Sequence, residues 1–155
     1  IDHQLAGATA MNETIRKFGY PDTLIGETEH WVILLRPAQV TLGSLVVAAK
    51  SDQQAFGALP TEFHADLAEV TRRVEAMLTQ AIDYQRINWL MLMMVDPHVH
   101  FHVLPRYEGE RIRNDLTLSD AGWPGPPDLK SAIALSESQR ADFIGWHGDL
   151  WAATT

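Results

Sequence analysis

Three histidines stand at positions 98, 100 and 102, in the run His98-Val99-His100-Phe101-His102-Val103-Leu104. The strict alternation with apolar residues is the pattern of a half-buried strand. Residues two apart on a strand share a face and lie about 6.6–6.8 Å from one another. The three imidazoles are therefore expected on one face, with Val99, Phe101 and Val103 packed into a core on the other. Such a row serves stability poorly, because each buried imidazole needs a hydrogen-bond partner. Four readings compete. The row could be a solvated strand face. It could bind zinc through His-x-His. Against zinc, His98 and His102 would stand about 13 Å apart, and no second cluster of His, Asp or Glu completes a site, so no metal site is expected. It could be a general acid–base pair with no covalent step. The favoured reading is a histidine nucleophile supported by histidine neighbours. Neutral imidazole attacks phosphorus well and leaves well from a phosphoramidate. A neighbour can fix its tautomer, and another can supply a proton near pH 7.

These residues need elements to hold them. Asn12 to Phe18 reads as a short helix, with Asn12 as N-cap and Gly19 as stop. Thr23 to Thr28 and Trp31 to Leu35 read as two strands, and Leu45 to Ala49 as a third, wholly apolar. Pro60 to Tyr84 is the clearest helix. Its Phe63, Leu67, Val70, Val74, Met77, Leu78 and Ala81 follow three-and-four spacing. Ile87 to Met94 and His98 to Leu104 read as two more strands, joined at Val95-Asp96-Pro97 as an antiparallel hairpin. Ser136 to Trp151 has helical spacing. Between these lies Gly122-Trp123-Pro124-Gly125-Pro126-Pro127, which excludes regular structure. Strands and helices do not alternate in a βαβ rhythm, so an α+β domain around an antiparallel sheet is favoured.

Composition narrows the function. A chain of 155 residues suits one domain. With 46% hydrophobic and 21% charged residues it is no disordered chain. The formal charge of −8 argues against a nucleic-acid surface. The absence of cysteine excludes a disulfide scaffold and a thiol nucleophile, so covalent chemistry would rest on imidazole. A cytoplasmic location is expected. No apolar run approaches the roughly 20 residues of a membrane span. Ile1-Asp2-His3-Gln4 lacks the basic and apolar regions of a secretory signal. Residues 1–10 are expected to be a cloning-derived or disordered N-terminus, with Met11 as the native start.

The histidine run resembles the His-φ-His-φ-His-φ-φ signature of the histidine triad (HIT) superfamily, where φ is apolar. The following Pro105-Arg106 is similar to the Pro-Arg of its diadenosine polyphosphate hydrolase branch. The order of elements over about 23–106 resembles that family too. The resemblance implies a single α+β domain: an antiparallel sheet of about five strands, one long helix packed on it and a C-terminal helical tail. It implies that His100 attacks the α-phosphorus of a nucleotide ester, anhydride or phosphoramidate. A nucleotidyl-histidine then forms and is hydrolysed by water. His98 orients His100, directly or through the backbone, and His102 contacts the phosphate or the leaving group. The motif requires no cofactor, although Mg2+ could accompany a polyphosphate substrate. Partners are a nucleotide and, as is typical of members, a second copy in a homodimer. Residues 11–110 would form the catalytic domain. Residues 111–155 would be an extension packing on it or on a partner subunit. A phosphoramidase, or a nucleotide-binding module with little turnover, are the alternatives.

The match departs from the family at several points. Serine, in Leu42-Gly43-Ser44-Leu45, replaces a usual fourth histidine, and Arg36 stands where relatives often carry asparagine. Arg36 could bind a phosphate bidentately or be a solvated strand end. Ser44 could keep a hydrogen bond to substrate or be a turn residue. Asn88 could face the pocket or cap a strand, and Arg106 is a further candidate for the phosphate. Before the triad, Met91-Leu92-Met93-Met94-Val95-Asp96-Pro97 replaces a polar glycine-rich loop. Its methionines read as core. Asp96 reads as a turn residue or a partner of His98. Arg72 and Arg73 read as a solvated helix face, and His30, His64 and His147 as surface or cap residues. Trp123-Pro124 resembles the C-terminal Trp-Pro element that covers the active site or the partner subunit in some family members, or is a loop tryptophan tucked against the domain.

Overall fold

The computed structural model describes residues 11–155; the expectation for residues 1–10 lies outside them. Helix α1 (Glu13–Lys17) starts on Asn12, whose side chain accepts from the Ile15 amide. Strands β1 (Leu24–Glu27), β2 (Trp31–Leu35), β3 (Ala38–Gln39) and β4 (Leu45–Ala49) follow. The long helix α2 (Thr61–Ile82) comes next, then β5 (Arg86–Leu90) and β6 (His100–Arg106). A hairpin of β7 (Glu110–Arg113) and β8 (Leu116–Ser119), the short β9 (Ile133–Ala134) and α3 (Glu137–Ala152) complete the chain. The principal sheet is antiparallel, in the order β1-β2-β4-β6-β5. The α+β architecture with five strands, one long helix and a C-terminal helix is thus the one expected. No helix among the described residues is long and apolar enough to cross a membrane.

The sheet has two unlike faces. On one, Trp31, Ile33, Leu35, Leu45, Val47 and Val103 form a continuous core with Val70, Val74, Met77 and Leu78 of α2. Phe143 and Trp151 of α3 join the same core. Gly26 of β1 lies so close under Trp151 that a Cβ there would collide with the indole ring. On the opposite face Val32, Leu34, Val46 and Ala48 pack against Ile15 of α1. His100 pairs with Ala48 and His102 with Val46, so both histidines share that second face.

Several expectations need correction. The fourth strand ends at Leu90 and the fifth begins at His100, so residues 91–99 form a loop rather than a tight hairpin. Met93 adopts φ 55°, which no strand residue does. Pro97 has no amide to give to a ladder. The hairpin β7–β8, turning at Asn114 with φ 54°, was not foreseen. Arg73 is not merely solvated: its guanidinium stacks over Trp151 at 3.8 Å and donates to the Thr154 hydroxyl. Arg72 does sit on the exposed face, paired with Glu69.

His147 is the clearest miss. It is fully buried in α3, its Nδ1–H donating to the Phe143 carbonyl at 2.8 Å, while its Nε2 has no partner. Burial pushes this imidazole down to about 4. The folded state therefore keeps it neutral, while the unfolded chain takes up a proton below its ordinary value near 6.5. Its contribution to stability is complete above that value and is lost as pH falls towards 4. The loss amounts to about 3 kcal/mol from this residue. Urea unfolding measured between pH 7 and 4 should show that decline, and His147→Phe should remove its share of the slope.

Candidate active site

The local chemistry starts where the chain joins the sheet. His98 and Val99 lie in a bend, and the ladder begins one residue later at His100. The bend frees the His98 carbonyl, which accepts a hydrogen bond from His100 Nδ1 at 2.7 Å. A carbonyl can only accept, so Nδ1 carries a proton, and in the neutral ring the lone pair is then on Nε2. His100 is 2% exposed, and it lines a cavity of about 370 Å³ together with His102, Arg36 and Phe18. The His98 ring turns elsewhere. Its Nδ1 is hydrogen-bonded to the Thr14 hydroxyl of α1 at 2.9 Å. His98 thus reaches His100 through its backbone carbonyl, while its ring is engaged by Thr14 of the helix that packs on the histidine face. Among the described residues no three His, Asp or Glu side chains converge in a way that could hold a metal.

His102 packs edge-on against His100, with ring centroids 5.1 Å apart, and Phe18 lies against both rings. Burial first, and then the Arg36 charge, lower His102 to about 4. The Arg36 Nε–H points at His102 Nδ1 over a long 3.4 Å. At neutral pH the ring is therefore uncharged, with its proton on Nε2. It can donate a hydrogen bond to a phosphoryl oxygen, but it holds no spare proton as an acid near pH 7.

Helix α1 closes one side of the cavity. Asn12 fastens it by donating to the carbonyls of Ala49 and Ser51, at the end of β4. Lys17 then reaches Asp96 in the 91–99 loop at 2.6 Å. Asp96 is thus a latch between loop and helix and does not pair with His98. The loop supplies the opposite wall through Leu92, Met93, Met94 and Val95.

The remaining candidates lie elsewhere. Ser44 is buried in a turn, donating to the Thr41 carbonyl at 2.7 Å and accepting from the Thr41 amide. Its neighbour Gly43 turns there with φ 87°. Its expected contact with substrate has no free hydroxyl to make it. Arg106 shares the histidine face by strand parity, but it is 4% exposed and its guanidinium makes four hydrogen bonds. Two go to the Asp120 carboxylate, one to the Asn88 carboxamide and one to the Gly125 carbonyl. Arg106 and Asn88 therefore clasp the C-terminal segment to the sheet and do not contact the triad cavity. Together with Trp123 and Arg86 they line a separate cleft of about 620 Å³ at the far end of β6. Trp123 accordingly covers Arg106 and not the histidines. Thr14, Lys17 and Phe18 were missed, because nothing in their local spacing shows that α1 folds over a strand more than 80 residues away. Asp120 was missed too; its signal was an acidic residue beside the turn-rich Gly-Trp-Pro stretch, awaiting a partner for Arg106.

A protein-family model described as HIT domain matches residues 17–109. No curated protein matches the sequence. Among solved structures, the chain is similar to a histidine triad protein from Sinorhizobium meliloti 1021. The TM-score is 0.70 at 23% identity, covering 89% of this chain and 93% of that one. It is also similar to a histidine triad protein from Marinobacter aquaeolei VT8. There the TM-score is 0.69 at 19% identity, covering 85% and 90%. A hypothetical histidine triad nucleotide-binding protein from Sulfolobus tokodaii gives a TM-score of 0.64 at 18% identity, covering 84% of each chain. These likenesses bear on the fold.

The electrostatics of His102 are directly measurable. Its NMR titration should have a midpoint near 4. In Arg36→Gln the midpoint should rise but stay below the ordinary histidine value, since burial is the larger cause. A midpoint near 6.5 in the wild type would contradict this account of the site.

Proposed function

This chain belongs to the histidine triad (HIT) family, and we propose that it is a nucleotide hydrolase or transferase acting at the α-phosphorus of dinucleoside polyphosphates or nucleotide conjugates. The observation that supports this most is the His100 Nδ1–H bond to the His98 carbonyl, which in the neutral ring puts the lone pair of a buried imidazole on Nε2. Nε2 attacks phosphorus, the bond to the leaving group breaks, and the leaving atom takes its proton from water. Water then attacks the nucleotidyl-histidine, the P–N bond breaks, and a nucleoside monophosphate leaves with Nε2 restored. In this reading His102 donates from Nε2 to a phosphoryl oxygen, and Arg36 balances the charge that builds on the others. A Mg2+ ion would arrive bound to a polyphosphate, as part of the substrate.

Residues 11–110 are the proposed catalytic unit, and the family match ending at 109 supports that boundary. Residues 111–155 are its extension. The proposed homodimer would use β5, an edge strand whose residues 87–90 are half-buried. The reaction separates from its phosphoramidase and binding-only alternatives by incubating the protein with diadenosine tetraphosphate and with an adenosine phosphoramidate. Turnover of one or both is expected, with a nucleotidyl-enzyme trapped on acid quench. His100→Ala should lower turnover by at least about 10³-fold and abolish the trapped adduct. Nucleotide binding with no turnover in the wild type would leave the binding-module reading in its place.

A further inference from the structure

The wall facing the triad is unusual in what it exposes. Leu92 is 49% exposed, and Met94 and Val95 are each 83% exposed. These are three large apolar side chains within four residues, lining a cavity that also holds His100. Scattered exposed apolar residues need no explanation, whereas a contiguous patch at a site marks something bound there. The patch is held in place and is not a frayed loop. Met91 and Met93 pack back onto the main core. Met93 does so at φ 55°, a conformation costly for any side chain. Asp96 ties the end of the segment to Lys17.

Charge points the same way. The two cations lining the cavity are Lys17 and Arg36. Lys17 is already neutralised by Asp96, and Arg36 is the one lining cation without a carboxylate partner among the described residues. The chain as a whole carries −8. One phosphate can be matched by Arg36, whereas a bridging polyphosphate would meet an apolar surface beyond it.

We propose that Leu92–Val95 form the leaving-group subsite of the triad cavity, and that the substrate is a nucleoside monophosphate joined to an apolar group with no further phosphate. This rests on His100 acting at the α-phosphorus. It makes residues 92–95 specificity-determining, since they touch the group that departs.

The test uses two adenosine 5′-phosphoramidates. One is made from hexylamine and the other from an equally long amine bearing an ether and a hydroxyl; diadenosine tetraphosphate is the third substrate. Each docked methylene is worth roughly fourfold. The hexyl conjugate should therefore exceed the polar one more than about tenfold in kcat/KM, and both should exceed the tetraphosphate. In the combined variant Leu92→Ser, Met94→Ser, Val95→Ser the hexyl-to-polar ratio should fall close to one. Equal rates in the wild type, a preference that survives the triple substitution, or preference for the tetraphosphate would each overturn the proposal. So would loss of a dimer in the triple variant by sedimentation, because the patch would then be covered by a second copy. Calorimetric binding of the two conjugates to His100→Ala reads the subsite without turnover. If the wild type cleaves nothing, the hydrolase reading falls. A tighter hexyl conjugate in that variant would still uphold the subsite, and equal affinities would sink it.

Discussion

The hydrogen bond from His100 Nδ1 to the His98 carbonyl is the constraint on which the arrangement of this molecule turns. An imidazole that is almost fully buried must satisfy both nitrogens or leave one free for a purpose. The carbonyl that takes Nδ1 lies just outside the sheet ladder: the strand begins at His100, and residue 98 sits in a bend that turns its carbonyl to the ring. The bend in turn needs support, which comes from Thr14 on the His98 ring and from the Lys17–Asp96 pair beyond it. Helix α1 is only five residues long and could not hold itself together in water. Its Asn12 cap and the burial of Ile15 against Val46 and Ala48 hold it to the sheet. The geometry of the histidine site and the packing of the N-terminal helix are thus one problem.

How much of this the sequence disclosed depended on range. Alternation is a local signal, and it correctly separated His100 and His102 from Phe101 and Val103. Just before the ladder begins, Val99 packs into the main core while the His98 ring reaches Thr14 of α1, the helix that packs on the histidine face. Three-and-four spacing read α2 to within two residues at each end. It could not tell that Ile82 is buried and Phe63 only half so, since that depends on where the sheet ends. Arg106 was legible as a cation beside the triad but not as a clasp, because its partner Asp120 comes from a hairpin and loop beyond the family-like region. His147 looked isolated in the sequence. Its burial follows from the docking of α3 on β1 and α2, which no local pattern encodes.

The histidine face is divided between two tasks. Near its Arg106 end the guanidinium and the Asp120 carboxylate are both nearly inaccessible to solvent and joined by two hydrogen bonds. Breaking such a pair leaves a buried charge uncompensated, which costs far more than an exposed ion pair contributes. That end is closed and structural. At the His100 end the charges are Arg36 and the latched Lys17, and the cavity is open. The net charge of −8 is therefore no obstacle to an anionic ligand. A field summed over the whole surface is screened beyond about 8–10 Å in physiological salt. A cation lining a partly buried cavity acts over a shorter distance and in a lower dielectric.

The neutrality of His102 follows from the same division. Its low pKa comes first from burial under Phe18 and the sheet, and next from Arg36 beside it. An acid that must give up a proton near pH 7 would need the opposite surroundings: exposure or a carboxylate. Asp96 does favour the charged ring, but it is the weakest of the four influences, and it is committed to Lys17. What remains to His102 is an N–H on a largely buried ring, a donor already held in place for an acceptor that enters the cavity. The adjacent loop is apolar for a reason compatible with this. Leu92, Met93 and Met94 line the same cavity, so a ligand seated against them would exclude water from that N–H and strengthen the interactions made by Arg36.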